Sequence, residues 1–519
     1  MNRVKPFLFS VLLAAACAVS AAEPETIRFE GAAITPLQLP AVAGSSGYSA
    51  ISARVRNTLD VPIEVGMLVS GRMFGGSGLT ASSENAVLLA PGSETIMDVP
   101  FPNSWNRAEV KSLTVDAKEL ADAPELFPTS GGGRHKTVML EIEPEPGRVP
   151  APSNPGQAAA RARERLQLRQ GFDAVTEAYS PVSEWSADPI AYTGFTMISI
   201  PDYEFAAATP DVRLALEKYM LLGGTLELTG AKRAFPRKAM FGEYIGNIRL
   251  PEPLPETAFG SRPGRPEPAA IGLDESGTGA ITLGVLVLFA ATATVSAMAL
   301  RRKNKLLLFF TVPAVSLLAA AAIFAVTLVR EGSGIRVAIE SKTMIDADTG
   351  IAATETEYLF FAPMTQNPDL EFSSDTLVTA AADANYRWGG GRLRIEGMLA
   401  SHTPTRVTAR RVFKTEAGVQ ITINSDSRPT AVNHLGATVI ELSCRINGKE
   451  YSAPSESLPI PDGGTAELFP ADRRAEAGPD GFTAKLTAPA FIEPGLAEKP
   501  AILSSAATVC GTFAREVKP

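Results

Sequence analysis

The chain has 519 residues, of which 45% are hydrophobic, and its formal net charge at pH 7 is −8. This length is sufficient for three or more domains, but the hydrophobic fraction is too low for a transporter built from many membrane helices. Because phosphate recognition needs a basic surface, the acidic balance argues against nucleic acid as a partner.

The segment 1–22 has the pattern of a signal peptide. Arg3 and Lys5 precede an apolar stretch, and small residues lie before Glu23, where cleavage is expected. The apolar stretch is too short for a membrane-spanning helix. Alternatively, Cys17 would be a lipidation site, although alanine replaces the leucine that normally lies three residues earlier. Both interpretations predict an exported protein.

Residues 23–145 have the alternation that is typical of short β-strands. Apolar and polar residues alternate over 51–56 and, after a polar turn, again over 63–67. The stretches 87–89 and 96–99, separated by a Pro-Gly turn, predict a further hairpin. Short strands with polar turns and no helical period predict an antiparallel, immunoglobulin-like β-sandwich.

A proline-rich linker is predicted at 146–165, and a small α/β domain at 166–250. Its apolar strand at 195–200 precedes Thr209-Pro210-Asp211, which has the cap, the first-turn proline and the early acid of a helix start. A second strand follows at 225–228. A strand, a helix and a strand in this order predict a parallel α/β unit.

Four short motifs carry a resemblance to a known family. The runs Tyr192-Thr193-Gly194-Phe195 and Leu216-Glu217-Lys218-Tyr219, the latter with Gly223-Gly224 behind it, resemble a poorly characterised group of bacterial membrane proteins. In that group an immunoglobulin-like sandwich is followed by a degenerate domain similar to class I glutamine amidotransferases, then by transmembrane helices and an outer β domain. The segments 343–346 and 432–436 resemble this outer domain. The resemblance implies an architecture rather than a function.

The α/β domain lacks the residues that an active amidotransferase-like enzyme would need, a cysteine nucleophile and a histidine base. No cysteine occurs between Cys17 and Cys444, and no histidine between His135 and His402. Ser199 therefore has no nearby histidine to activate it. The sequence predicts a pseudoenzyme with no catalytic residue, no cofactor and no metal site.

Two weaker patterns have structural alternatives that we prefer. Asp346, Asp348 and Gly350 have the spacing of the first half of a calcium loop, but no clear acidic ligand follows, and a hairpin turn explains them equally well. Trp185 and Trp388 have loop-like neighbours and could bind a sugar or a protein. Packing in a core is the more common role of such residues.

A proline-rich tether at 251–279 leads into two uncharged apolar segments, 280–300 and 306–329. At a rise of about 1.5 Å per residue, each is long enough to cross a hydrocarbon layer of about 30 Å. The intervening loop, 301–305, has four basic residues: Arg301, Arg302, Lys303 and Lys305. Short basic loops remain in the cytoplasm. The sequence thus predicts an integral inner-membrane protein with a two-helix transmembrane hairpin and both large domains in the periplasm.

Residues 330–519 return to strand patterns and predict an extracytoplasmic β domain of one or two sandwich modules. Asn447-Gly448 is a strong hairpin signal. Export would permit a disulfide between Cys444 and Cys510, which we predict as the candidate bridge. Two buried thiols that lie apart are the alternative.

The fold class expected from these patterns is a multidomain chain with a β-sandwich, a small α/β domain, a transmembrane hairpin and a C-terminal β-sandwich-like domain. The function expected is that of a non-catalytic envelope protein, a binding or scaffold module for a protein or a glycan. The alternatives are an extracytoplasmic hydrolase or amidase with an unrecognised site, and an accessory subunit of a transport or secretion complex.

Overall fold

The structure is a computed structural model, and the part of the chain that it describes is mostly β. Strands make up 56% of it and helices 16%, so strand pairing and not helix packing determines the architecture. The described residues are 26–37, 47–73, 80–120, 127, 130–131, 138–141, 176–179, 182–195, 197–229, 238–239, 242–243, 278–301, 313–314, 316–318, 320–321, 334–347, 349–363, 368–379, 384–424, 428–471, 480–488, 490–493, 495–496 and 501–518.

The chain divides into two compact units. Unit 1 consists of Met1–Leu216, Leu228–Gly230 and Arg387–Gly390. Unit 2 consists of Glu217–Glu227, Ala231–Tyr386 and Gly391–Pro519.

The strands as far as Thr229 are β1 (Ile27–Phe29), β2 (Ala32–Leu37), β3 (Tyr48–Asn57), β4 (Ile63–Met73), β5 (Thr80–Leu89), β6 (Glu94–Pro102), β7 (Trp105–Val115), β8 (Lys118–Glu119), β9 (Ser130–Gly131), β10 (Val138–Glu141), β11 (Thr176–Tyr179), β12 (Met197–Pro201) and β13 (Thr225–Thr229). The helices are α1 (Asp202–Ala207), α2 (Pro210–Leu221) and α3 (Thr278–Arg301), with short 3₁₀ turns at Val182–Glu184, Pro189–Tyr192 and Ser455–Ser457.

The later strands are β14 (Lys238–Ala239), β15 (Gly242–Glu243), β16 (Arg336–Asp346), β17 (Ile351–Phe361), β18 (Leu370–Ser373), β19 (Thr376–Val378), β20 (Asn385–Gly389), β21 (Arg392–Glu396), β22 (Thr405–Lys414), β23 (Gly418–Asn424), β24 (Thr430–His434), β25 (Val439–Ile446), β26 (Lys449–Ser452), β27 (Thr465–Glu467), β28 (Phe469–Pro470), β29 (Gly481–Leu486), β30 (Gly495–Leu496), β31 (Ala501–Gly511) and β32 (Ala514–Lys518).

A two-sheet sandwich forms the larger part of unit 1. One sheet has the order β1-β2-β3-β6, and the other contains β5-β4-β7-β8. Along the second half of β3 the side chains of Ala53 and Val55 are buried in the core, whereas Arg54 between them is only partly buried and Arg56 beyond them is exposed. This period of two is the pattern of a strand with one buried face.

The hairpin that the sequence suggests around the Pro-Gly turn is wrong. β5 pairs with β4 and β6 pairs with β3, so the turn between β5 and β6 carries the chain from one sheet to the other. The prediction failed because a turn signal shows where the chain reverses, but not which strand each arm takes as its partner.

A smaller sheet has the order β11-β10-β12-β13, in which β10 is parallel to both β11 and β12. α2 begins as the sequence predicts, because the Thr209 hydroxyl accepts a hydrogen bond from the amide of Val212. Leu216 and Met220 are buried, whereas Leu214 is 41% exposed.

The predicted transmembrane hairpin is wrong for the described chain. α3 occupies the first predicted segment and ends at the exposed Arg301, but most of 306–329 lies outside the described residues, as do Arg302, Lys303 and Lys305. Within the described residues, no helix is both long and apolar enough to cross a membrane. A hairpin needs two continuous apolar helices of about 20 residues each, and the second segment is described only at 313–314, 316–318 and 320–321. This finding also corrects three expectations that depend on the hairpin. They are an integral membrane protein, a membrane partner and an inner-membrane location facing the periplasm.

Several other predicted segments cannot be compared with the structure. The signal peptide at 1–22, the linker at 146–165, nearly all of the tether at 251–279 and Asp348 lie outside the described residues. The domain boundaries that depend on them stay predictions.

Unit 2 contains a second sandwich. Its large sheet has nine strands in the order β19-β22-β17-β16-β31-β29-β25-β26-β28. The opposing sheet has the order β27-β24-β23-β32. Ile421, Val439, Leu442 and Val509 belong to one buried cluster that both sheets share. The predicted hairpin at Asn447-Gly448 is confirmed, since β25 and β26 pair antiparallel on its two sides.

Candidate functional site

A buried asparagine, Asn57, stabilises the corner at which β3 ends and the chain turns toward β4. The Asn57 side chain is fully buried, and its amide nitrogen donates to the carbonyl oxygens of Val61, Leu89 and Ala90 at 2.7, 3.2 and 3.2 Å. Its side-chain oxygen accepts the amide of Leu59 at 2.8 Å. One side chain therefore connects the end of β3 with the start of β4 and the end of β5.

The second sandwich has the same arrangement around Asn433. Its amide nitrogen donates to the carbonyl oxygens of Ala437, Ile460 and Pro461 at 2.8, 3.1 and 3.1 Å. Its side-chain oxygen accepts the amide of Leu435 at 3.0 Å. The two corners are structural, because all polar atoms of both side chains are used by the backbone around them.

The outer face of β3 and β6 holds a segment of the chain itself, residues 182–195. Ser52 and Asp98 are cross-strand partners on this face. The Ser52 hydroxyl donates to one carboxylate oxygen of Asp98, and the hydroxyl of Ser186, from the segment, donates to the other. Both serines are fully buried. The carboxylate thus joins the sheet to the docked segment.

Close backbone approach strengthens this docking at the start of β3. The Thr193 hydroxyl accepts the amide of Tyr48 at 3.0 Å. A Cβ atom on Gly47, whose φ is +80°, would lie 2.2 Å from the carbonyl oxygen of Thr193, and one on Gly194 would lie 2.6 Å from that of Tyr48. Only glycine permits contacts of this kind at both positions.

The segment is also ordered internally. The Asp188 carboxylate accepts the amide of Ile190 at 2.9 Å and so caps the 3₁₀ turn Pro189–Tyr192. The amide of Asp188 donates to the Ser186 hydroxyl at 2.8 Å, which leaves that hydroxyl oriented toward Asp98. Trp185 is buried beside the ring of Tyr192. The segment therefore presents a preformed surface to the sheet.

Burial dominates the electrostatics of this cluster. It raises the pKa of Asp98, and the hydrogen bonds from Ser186 and Ser52 act in the opposite direction. It also raises the pKa of the Tyr192 phenol well above its ordinary value, an effect that the nearby carboxylates of Asp98 and Asp188 increase. Asp98 is only 7% exposed, and both of its carboxylate oxygens accept hydrogen bonds from within the chain.

The two cysteines of the candidate disulfide are free thiols in the structure. Cys444 on β25 lies opposite Phe482 of β29, and Cys510 on β31 lies opposite Thr483 of β29. The thiols are therefore two strand spacings apart, about 10 Å, and since Phe482 and Thr483 are consecutive they point to opposite faces. A disulfide needs Cα atoms about 4.4–6.8 Å apart. This arrangement favours the alternative of two separate thiols.

The remaining candidate residues have structural surroundings. Asp346 is buried and accepts a hydrogen bond from the Thr349 hydroxyl at 2.7 Å within a hairpin turn. Trp185 and Trp388 are 1% and 5% exposed, so neither offers a stacking platform at the surface. The indole of Trp388 instead donates to the Ser83 hydroxyl at 3.1 Å. The side chain of Ser199 lies outside the described residues.

Sequence reasoning missed Asn57, Asn433 and the Ser52–Asp98–Ser186 cluster. The asparagines have a signal, because each begins an Asn-x-Leu tripeptide and is followed some 30 residues later by a proline-containing turn. The cluster has none, since Ser186 is 88 residues from Asp98 in sequence.

Comparisons with known proteins give little. No protein-family model and no curated protein matches the chain. Among solved structures, the chain is similar to the yeast delta-COP-I mu-homology domain, alone and complexed with a Dsl1 WxWxV peptide. Each match has 8% identity, covers 36% of this chain and 98% of the other, and has a TM-score of 0.19. A score this low carries no argument. The resemblance to the amidotransferase-like family stays a prediction.

Proposed function

We propose that the protein is a non-catalytic binding module whose β-sandwiches hold polypeptide segments on the outer faces of their sheets. The observation that carries the proposal is the docking of residues 182–195 on β3 and β6. There the chain itself recognises a short, internally ordered segment through a buried carboxylate, two serine hydroxyls and a close backbone contact. A surface that holds one such segment has the chemistry to hold others.

The state of the reactive groups supports a binding role over a hydrolytic one. Burial raises the pKa of Cys444 to about 12, so its thiol stays protonated and is a poor nucleophile near neutral pH. The Glu355 carboxylate is buried and accepts two hydrogen bonds from the Arg410 guanidinium, at 3.0 and 2.8 Å. Asp98 is hydrogen-bonded to two serines. The two carboxylates are thus already used in internal contacts, and the Cys444 thiol is protonated.

A peptide added in trans tests the proposal. In the full-length variant Ser186→Asp, the new carboxylate faces Asp98, and repulsion should release the chain's own segment. A fluorescein-labelled synthetic peptide with the wild-type sequence of residues 182–195 should then bind this variant saturably, as measured by fluorescence anisotropy. Binding to the wild-type chain should be at least tenfold weaker, because the tethered segment has a high effective concentration.

Two controls define the result. The same peptide with Ser186→Ala should bind the variant several-fold more weakly, because it lacks the hydroxyl that donates to Asp98. Absence of saturable binding to a variant whose far-ultraviolet circular dichroism matches that of the wild-type chain, and whose residues 182–195 exchange amide hydrogens fast, would contradict the proposal. A second assay measures turnover of generic ester and amide substrates, and activity that disappears in Asp98→Asn would support the hydrolase alternative instead.

A further inference from the structure

The second sandwich repeats the strand arrangement of the first. In unit 1, β3 lies between β2 and β6, and β4 lies between β5 and β7. In unit 2, β24 lies between β23 and β27, and β25 lies between β26 and β29. The pair Ile63 and Leu89 has its counterpart in the bridge between Val439 and Ile460. With the two asparagine corners, these pairings align the sandwiches residue by residue.

The alignment identifies the second-sandwich equivalent of the Ser52–Asp98 pair. In the first sandwich, the residue five positions before the corner asparagine Asn57 is Ser52, and it pairs with Asp98. The same count in the second sandwich, continued two residues beyond the paired residues of β24 and β27, leads to Arg428 and Phe469. Phe469 itself begins β28, which pairs with β26. The Ser52 hydroxyl, a donor, is thus replaced by a guanidinium that also donates, and the accepting carboxylate of Asp98 is replaced by an aromatic ring.

Arg428 is oriented by an aromatic ring and not by an acid. Its guanidinium carbon lies 4.1 Å from the centroid of the Phe469 ring, and the residue is exposed. Arg387, another exposed arginine, instead forms an ion pair with Glu84 at 2.6 Å. Within the described residues, no carboxylate forms an ion pair with Arg428. Stacking fixes the plane of the guanidinium and leaves its N–H edge directed to an acceptor in the plane.

We propose that the outer face at the start of β24, centred on Arg428 and Phe469, is a docking surface for a partner's peptide segment that carries an aspartate or a glutamate. The proposal rests on the proposed function and names the partner class for the second sandwich. In the first sandwich the sheet supplies the carboxylate and the segment supplies the donor. In the second sandwich the sheet supplies the donor, so the segment must supply the carboxylate, which arginine can bind through two parallel hydrogen bonds.

The test is selection of a displayed library of random 12-residue peptides on the full-length chain. The enriched peptides should contain Asp or Glu at one recurring position. For a representative synthetic peptide, Arg428→Glu should weaken binding by tenfold or more, because attraction becomes repulsion. Arg428→Lys should give an intermediate loss, since an ammonium cannot make the bidentate contact. Lys449→Glu, the same charge change at an exposed position of the same sandwich, should alter binding less than threefold.

The contrary outcomes separate this proposal from the proposed function. Peptides that lack acidic residues, or whose binding is unchanged in Arg428→Glu, would overturn the docking surface. If such peptides compete with the labelled peptide of residues 182–195 on the Ser186→Asp variant, the proposed function stands. If the selection enriches no peptide, the docking surface is overturned. If the Ser186→Asp assay fails as well, the proposed function is also overturned.

Discussion

The two sandwiches have the same corner but differ on the face beside it. Asn57 and Asn433 make matching hydrogen bonds to three carbonyl oxygens and one amide. On the adjacent outer face, the first sandwich has a buried Asp98 and holds a segment of its own unit, whereas the second has Arg428 stacked on a ring. The corner is therefore common to both sandwiches, while the residues on the outer face beside it differ.

The largest expected effect comes from the corner asparagines. Asn57→Ala should lower the free energy of unfolding of unit 1 by about 3 kcal/mol or more, since three carbonyls and one amide lose a buried partner. All three tryptophans of the chain, Trp105, Trp185 and Trp388, lie in unit 1, so their fluorescence during denaturation measures this change. Asn433→Ala should not change the denaturant concentration at which tryptophan fluorescence reports the unfolding of unit 1.

Unit 2 has its own reporter. Asn433→Ala should allow alkylation of the buried Cys444 at lower denaturant than in the wild-type chain, and Asn57→Ala should not. The matched control is Ser93→Ala, which removes an exposed hydrogen bond to Ala90 at the same corner and should cost less than about 1 kcal/mol. Equal effects of both asparagine variants on both reporters would contradict two separately stabilised corners.

The second largest effect should come from the docked segment. Asp98→Ala leaves the buried hydroxyls of Ser52 and Ser186 without their acceptor, and each such group costs about 1–3 kcal/mol. The free energy of unfolding measured by tryptophan fluorescence should fall by about 2 kcal/mol. The denaturant concentration at which Cys444 becomes alkylated should not change. A shift below about 0.5 kcal/mol would mean that this carboxylate does not hold the segment.

A smaller effect should appear as a dependence on pH. Burial raises the pKa of Asp98 in the folded protein above its unfolded value of about 3.9. The proton is therefore held more tightly in the folded state, so the stability contributed is complete below the unfolded pKa and is lost as pH rises through the folded pKa. The wild-type free energy of unfolding minus that of Asp98→Asn should fall as pH rises from about 4. A difference that rises with pH would contradict the direction of the shift.

The last prediction concerns the reactivity of the two thiols, and it involves no change in the free energy of unfolding. In the unreduced, denatured protein, Cys444 and Cys510 should both react with iodoacetamide, as detected by peptide mass spectrometry. In the folded protein Cys444 should react far more slowly, because burial raises its pKa to about 12 and blocks access. Recovery of a peptide that contains both cysteines joined by a disulfide would contradict the strand register of β25, β29 and β31.

Local signals predicted local structure well. The start of α2 at Thr209 and the hairpin at Asn447-Gly448 depend on residues a few positions apart, and both are present. The crossing between β5 and β6, and the contact of Ser186 with Asp98, depend on which distant strand is the partner, which a periodic pattern does not encode. The transmembrane hairpin was inferred from apolar length alone, and it was corrected for the described chain.

Hydrogen exchange in the segment 182–195 tests the central claim most directly, that the first sandwich recognises this segment through Asp98. In the wild-type chain, the amides of Ile190, Thr193 and Phe195 should be protected, as their hydrogen bonds require. In Asp98→Ala they should exchange at least tenfold faster, while β3 and β4 keep their protection. Equal exchange of the segment in both proteins, or simultaneous loss of protection in β4, would contradict a discrete docking contact.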